Sequence, residues 1–285
     1  MNEFEETVHA FLEIMRQPNI QNTEINLPKL DYIRLTRVLT SSCELFATEP
    51  NILELSYPIF IVGNINGSLF SLFEILKKNG VPPVSRYLFI GNSIGNDEFS
   101  YECLIFILSM KIVFPNHIFL IRGQNEFLRS KCFHYMQISF PKKEETTFQI
   151  TGRIPHKNSL EHDRIIDTNL LQLFDNTFSS LPLTAKVFNR FLCVNRSIPI
   201  SLTAMTKIDR LQLEEGCPLF QELYGNASNE LITNHEVFES FLGENSLTMI
   251  IRGANYVGGG VFSLLDGRIT EVFSGINHND VSAIL

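Results

Sequence analysis

The sequence predicts an α/β fold, and three observations between residues 58 and 123 support that prediction. Short apolar runs at 58–63, 86–91 and 118–123 have the length and composition of buried strands. Helical apolar spacing at 69–78 and 98–114 fills the two gaps between them. Each apolar run also ends at a glycine. A strand–helix–strand alternation joins neighbouring strands by crossovers, so we expect a parallel sheet at the centre of the fold.

The flanking regions carry further elements. Residues 1–56 are predicted to be helical, with a break around 17–28, because apolar residues such as Phe4, Val8 and Phe11 recur at helical spacing. The turn signal Asp266-Gly267 predicts a two-residue hairpin. The other predicted elements are a loop at 139–161, a helix at 167–181, one strand at 186–194, a strand at 247–252, and the two hairpin strands at 261–265 and 268–273.

Length and composition favour one domain over residues 1–285, with an N-terminal helical part at 1–56 and the core at 57–285. The hydrophobic share of 44% is sufficient for a sizeable core. No linker, repeat or low-complexity tract divides the chain.

Charge and cysteine content exclude several functional classes. The net charge is −8 without a Lys/Arg cluster, which argues against nucleic acid as a partner. No uninterrupted apolar stretch reaches membrane-spanning length. The five cysteines are odd in number and form no Cys-x-x-Cys pair, so neither a disulfide framework nor a zinc site is predicted. We expect a cytoplasmic protein, with the nucleus as the alternative.

Polar clusters follow all three central strands. They are GNING at 63–67, GNSIGND at 91–97 and RGQNE at 122–126. Sites in α/β sheets form at the carboxyl ends of strands, so these clusters predict one shared pocket.

These blocks, followed by VNRS at 194–197, RGAN at 252–255 and SGINH at 274–278, resemble those of the serine/threonine phosphoprotein phosphatases. In that family, which includes protein phosphatase 1, 2A and calcineurin, the corresponding blocks are GDxHG, GDxxDRG, RGNHE, HGG, RAH and SAPNY. The resemblance covers about residues 25 to 285, and the blocks occur in the same order.

The resemblance implies a metallophosphoesterase-type central β-sandwich flanked by helices, with two metal ions at the strand ends. In this chemistry the metal ions hold a hydroxide and clamp the phosphate for in-line attack. It also implies Asp, His and Asn metal ligands, a histidine acid and two phosphate-binding arginines.

This chain differs from the family at nearly all of those positions. The acid histidine falls at Asn125 and its orienting aspartate at Gly95, while the phosphate-binding arginines fall at Asn96 and Ala227. Four family residues with mainly structural roles or none assigned are kept: Arg122, Gly123, Glu126 and Arg252. The six metal-ligand positions carry Asn64, Asn66, Asn92, Gln124, Asn195 and Ala254.

None of these ligand positions has a negative charge. Two divalent ions 4 Å apart repel each other by about 17 kcal/mol at an effective dielectric constant of 20. Carboxamides are dipoles and cannot offset that repulsion as carboxylates do. We therefore expect no metal cofactor and no catalytic residue.

Nearby residues offer alternatives, which we rank lower. Asp97 and Glu98 fit a helix N-terminal charge pair better than a general base. His278 stands where the family has a rim tyrosine, and a packing role fits it better than metal binding.

The favoured hypothesis is a pseudophosphatase that binds proteins, either phosphatase regulators or components of a scaffold. The alternative is a weakly active or altered phosphatase that hydrolyses phosphoserine or phosphothreonine. A phosphopeptide binder ranks lower because the arginine positions are lost, and a degenerating copy without a role is also open. Few residues follow Asn277, so we further expect an exposed sheet edge that binds a partner or aggregates.

Overall fold

The protein is described by a computed structural model, which covers residues 1–17, 27–28, 30–136, 168–225, 234–253 and 258–275. The loop predicted at 139–161 lies outside the described residues. The helices are α1 Glu3–Met15, α2 Tyr32–Thr48, α3 Leu69–Asn79, α4 Ser100–Val113, α5 Lys131–Met136, α6 Thr168–Ser179, α7 Leu202–Met205, the 3-10 helix Arg210–Gln212, α8 Pro218–Tyr224 and α9 His235–Glu244.

The nine strands of the described residues form two sheets. They are β1 Ile52–Leu55, β2 Phe60–Val62, β3 Tyr87–Phe89, β4 Ile118–Leu120, β5 Thr184–Val187, β6 Phe191–Val194, β7 Met249–Gly253, β8 Val261–Leu264 and β9 Ile269–Val272. One sheet has the order β2-β3-β4 and is parallel throughout. The other has the order β1-β5-β6-β7-β9-β8.

The parallel sheet arises from the predicted strand–helix alternation. Helix α3 connects β2 to β3, and α4 connects β3 to β4. Ser68 caps the N-terminus of α3, where its side chain accepts a hydrogen bond from the Ser71 N–H, and Gly80, with φ 92°, caps the C-terminus. Serine and glycine are residue types that helices favour at these N-terminal and C-terminal cap positions.

The two sheets face each other across an apolar layer, which confirms the expected β-sandwich. Ile61, Leu88 and Ile121 come from the three-stranded sheet. Val187 and Ile251 come from the six-stranded sheet, and all five side chains are buried. Burial of this layer fixes which face of each strand points inward.

Helices cover the outer faces. Helix α4 lies at the centre of the larger apolar cluster, where Phe106 stacks on Phe11 of α1 with ring centroids 4.7 Å apart. On the opposite side α9 places Phe238 and Phe241 against the six-stranded sheet. Within the described ranges, no helix has the length and apolar character needed to cross a membrane.

Three sequence predictions are corrected. Residues 1–56 are not all helical, because Ile52–Leu55 pairs with β5 as an edge strand. The single strand predicted at 186–194 is two antiparallel strands joined by a turn in which Phe188 and Asn189 have φ of 54° and 55°. The hairpin near Asp266 is confirmed, but its loop has four residues, since Leu264 is paired with Ile269.

Candidate functional site

The predicted polar clusters meet at one edge of the sandwich. Asn64, Asn92 and Gln124 lie beyond the carboxyl ends of the parallel strands β2, β3 and β4. Asn195 follows β6 in the other sheet, directly after its last residue. Asn64 also forms a parallel bridge with Phe273, just beyond β9. Loops from both sheets therefore contribute to the same place.

Five carboxamides form a hydrogen-bonded group that we call the amide cluster: Asn64, Asn92, Gln124, Asn125 and Asn195. Asn195 lies at its centre and is 3% exposed. Its Oδ1 accepts from the Gln124 N–H at 3.1 Å, and its Nδ2 donates to the Ile90 carbonyl at 2.9 Å and to Asn64 Oδ1 at 3.4 Å. The side chain thus joins the ends of β2, β3, β4 and β6.

Asn92 and Asn125 add a second set of bonds. Asn92 Oδ1 accepts from the Asn125 N–H at 3.0 Å, and Asn125 Nδ2 donates to the Ile94 carbonyl at 2.8 Å. Asn92 has φ 53°, in the left-handed region that asparagine tolerates better than most residues. The Asn92 and Asn125 side chains therefore hold together the loops that follow β3 and β4.

The cluster is closely packed against backbone. A Cβ at Gly253 would lie 2.2 Å from Asn64 Oδ1, and a Cβ at Gly123 would lie 2.3 Å from the backbone nitrogen of Asn92. Only glycine fits at these two positions, so the amide side chains fill the space at the strand ends.

Glu126 is the carboxylate beneath the site and is 2% exposed. Its two oxygens accept from four backbone N–H groups, those of Asn92 at 3.0 Å, Ser93 at 2.6 Å, Ile94 at 3.4 Å and Gly123 at 2.9 Å. Burial raises the pKa of Glu126, while these N–H donors act against that rise. Glu126 therefore connects the second and third strand-end loops.

Arg196 brings a positive charge to the cluster, which the sequence analysis did not single out. Its Nη1 donates to Gln124 Oε1 at 3.1 Å, and its side chain is half-buried. The only signal for it was its place directly after Asn195 in the fourth block.

The remaining predicted site residues lie at the margin or outside the described chain. Asn66 is half-buried, and its N–H donates to the Asn92 carbonyl at 2.9 Å. Gly95 is buried beside it, whereas Asn96 is exposed. Ala227 and Ala254, like the alternative His278, lie outside the described residues.

Two kept arginines have structural contacts. Arg252 donates through Nε to Glu271 Oε1 at 2.7 Å, and the two residues are cross-strand partners on β7 and β9. Arg122 is 1% exposed and its guanidinium lies 3.7 Å from the Phe127 ring centre, a cation–π contact. Neither arginine is among the hydrogen-bonding partners of the amide cluster given above.

The acids near the second block belong to the start of α4. Asp97 Oδ1 accepts from the Phe99 N–H at 3.0 Å, which agrees with a helix N-terminal role. Burial raises the pKa of Asp97. Glu102 in the first turn is 2% exposed, and burial, together with the charges of Asp97 and Glu98, raises its pKa to about 7.

Comparison with known proteins now identifies the family. The family described as Metallophos, calcineurin-like phosphoesterase, matches residues 57–259. The chain belongs to this family. It is also 31% identical over 183 residues to "Serine/threonine-protein phosphatase 2B catalytic subunit A2" of Saccharomyces cerevisiae, a match that covers 64% of this chain and 27% of the yeast protein. The match therefore spans about a quarter of that relative's length.

Solved structures of phosphatases share the fold. A Saccharomyces cerevisiae protein serine/threonine phosphatase with similarity to human phosphatase PP5 superposes with a TM-score of 0.67 and 23% identity, over 86% of this chain and 78% of that one. A cold-active protein-tyrosine phosphatase of a psychrophilic Shewanella gives a TM-score of 0.57 and 12% identity, over 85% and 78%. At these identities the likeness concerns the fold.

The residues at the family's metal positions do not fit two divalent ions. The described positions offer only neutral carboxamides, and the Oδ1 atoms of Asn64, Asn92 and Asn195 already accept hydrogen bonds. Across the described ranges, no group of three or more His, Cys, Asp or Glu side chains is arranged to hold a metal ion. Hard divalent cations need anionic oxygens, so this family site lacks the donors for them.

Proposed function

We propose that this phosphatase-family chain is a pseudophosphatase, which acts by binding proteins instead of hydrolysing phosphate esters. The observation that carries the proposal is the amide cluster at the strand ends. The family uses that place for ligands of metal ions, whereas here the carboxamide side chains bond mainly to backbone groups, and the Asn195 side chain also donates to that of Asn64. The partners that we expect are regulators of active phosphatases or components of a scaffold.

The retained packing supports a role that depends on the folded surface. The apolar layer between the sheets and the large cluster around α4 are both intact. Glu126 and Arg122 still hold the loops of the site in place. We expect a chain with this frame to keep a folded surface on which a protein partner can bind, while the family's reactive centre is replaced.

Arg196 is a second obstacle to metal binding. It stands where the family's fourth block has a glycine, and it reaches the Gln124 oxygen. A positive charge beside a bound divalent ion costs electrostatic free energy. Movement of the flexible side chain reduces this cost without removing it.

The experiment restores the family residues in two steps. The first variant carries Asn64→Asp, Asn66→His, Asn92→Asp, Gln124→Asn, Asn195→His and Ala254→His. The second adds Arg196→Gly. We expect manganese to bind the second variant about 10-fold or more tightly than the first, since the cation beside the site is gone. Isothermal titration with MnCl₂ measures the difference, with the unaltered chain as the control.

If both variants bind manganese with equal affinity, Arg196 does not oppose metal binding. Manganese binding by the unaltered chain, as tight as in the second variant, would contradict the proposal as a whole.

A further inference from the structure

Strand β8 forms one edge of the six-stranded sheet. It pairs with β9 on one side, and within the described residues no strand pairs with its other side. Val261 is 36% exposed and Phe262 is 50% exposed, and Leu265 just beyond the strand is 38% exposed. An uncovered apolar edge strand is a template for pairing with another chain.

The hydrogen-bond pattern shows which backbone groups point outward. The Phe273 N–H donates to the Gly260 carbonyl at 2.8 Å, and these two residues continue the register of β9 and β8. Bonded and non-bonded pairs alternate along an antiparallel ladder. Phe262 and Leu264 therefore bond to β9, while Val261 and Ser263 direct their N–H and C=O groups away from the sheet.

The strand itself, VFSL, carries neither of two common protections against pairing, a charged residue or a proline. Glu271, opposite Phe262 on β9, is neutralised by its ion pair with Arg252. A chain with net charge −8 repels its copies in general, but this edge is locally neutral.

We propose that β8 pairs antiparallel with β8 of a second copy of this chain, about a two-fold axis at Phe262. In that register Val261 of one copy faces Ser263 of the other, so the outward groups of both copies make four backbone hydrogen bonds. The two Phe262 residues then form a non-hydrogen-bonded pair, whose Cα atoms are about 4.5 Å apart. The two aromatic rings lie side by side on one face, a stabilising cross-strand pair.

A four-residue strand buries a small interface, so we expect a weak dimer. Sedimentation equilibrium of the full chain from about 1 to about 200 μM is expected to show a monomer–dimer equilibrium with a Kd in the micromolar range. Phe262→Lys places two like charges opposite each other, and we expect it to raise the Kd about 10-fold or more. Phe188→Lys changes another exposed phenylalanine (56% exposed), in the β5–β6 turn, and is expected to leave the Kd unchanged.

Cross-linking tests the register independently of any effect of lysine on folding. Phe262→Cys is expected to form an intermolecular disulfide under mild oxidation, because a Cα separation of about 4.5 Å lies within disulfide range. Phe188→Cys and the unaltered chain are the controls. A monomer at every concentration overturns the proposal, as does a dimer that Phe262→Lys leaves intact, or equal cross-linking by the two cysteine variants.

Discussion

Glu126→Gln is expected to destabilise the protein by about 3–5 kcal/mol, a large part of the stability of a typical domain. The two Glu126 oxygens serve four backbone N–H groups in the loops after β3 and β4. A glutamine presents an NH₂ group in place of one oxygen, so a donor faces buried donors. Each buried group left without a partner costs about 1–3 kcal/mol.

Urea unfolding followed by circular dichroism measures this loss as a lower transition midpoint. Glu54→Gln makes the same chemical change at an exposed position of β1 and is the matched control, for which we expect a change within about 0.5 kcal/mol. If Glu126→Gln unfolds at the same urea concentration as the control variant, the carboxylate is not what holds the two loops.

A second large effect concerns pH. Glu102 is buried in the first turn of α4, its Oε2 has no hydrogen-bond partner among the described residues, and its pKa is raised to about 7. Burial is the main cause, and the carboxylates of Asp97 and Glu98 add to it. In the unfolded chain the pKa is near the ordinary value of 4.5.

The sign follows from proton binding. Between about pH 4.5 and pH 7 the folded protein holds a proton on Glu102 that the unfolded chain has released. Stability therefore falls as the pH rises through this window, and the full contribution is present only below it. A rise in pKa from 4.5 to about 7 corresponds to about 3 kcal/mol.

Glu102→Gln removes the titrating group and keeps its shape. We expect the variant to match the unaltered chain near pH 4 and to exceed its free energy of unfolding by about 3 kcal/mol near pH 8. Urea unfolding at a series of pH values measures both curves, with the exposed Glu44→Gln on α2 as the control. Parallel curves for Glu102→Gln and the unaltered chain would show that Glu102 does not titrate in this window.

The sequence was sufficient for the parallel core because its signals are local. The apolar runs ending at Gly63, Gly91 and Gly123 mark β2, β3 and β4 without reference to distant residues. The error at 186–194 has a local cause as well. The turn there places Phe188 at positive φ, a conformation that no glycine signals and that phenylalanine rarely adopts.

The sequence was sufficient to predict which residues lie at the candidate site, but not the hydrogen bonds between them. The block order gave the positions of Asn64, Asn92 and Asn195, and the structure brings these three together. Their bonds join parts of the chain that are far apart in sequence, as in the contact between Gln124 and Asn195, 71 residues apart. Arg196 was missed for the same reason, because its contact with Gln124 spans 72 residues.

The central claim is that the strand ends hold no two-metal centre, and metal content tests it most directly. The full chain would be purified, incubated with manganese and desalted, and its manganese, iron and zinc measured by mass spectrometry, with aryl-phosphate hydrolysis assayed on the same sample. We predict metal far below one ion per chain and no turnover above the buffer rate. About two ions per chain, the content of a two-metal site, together with turnover that Asn64→Ala abolishes, would contradict the account.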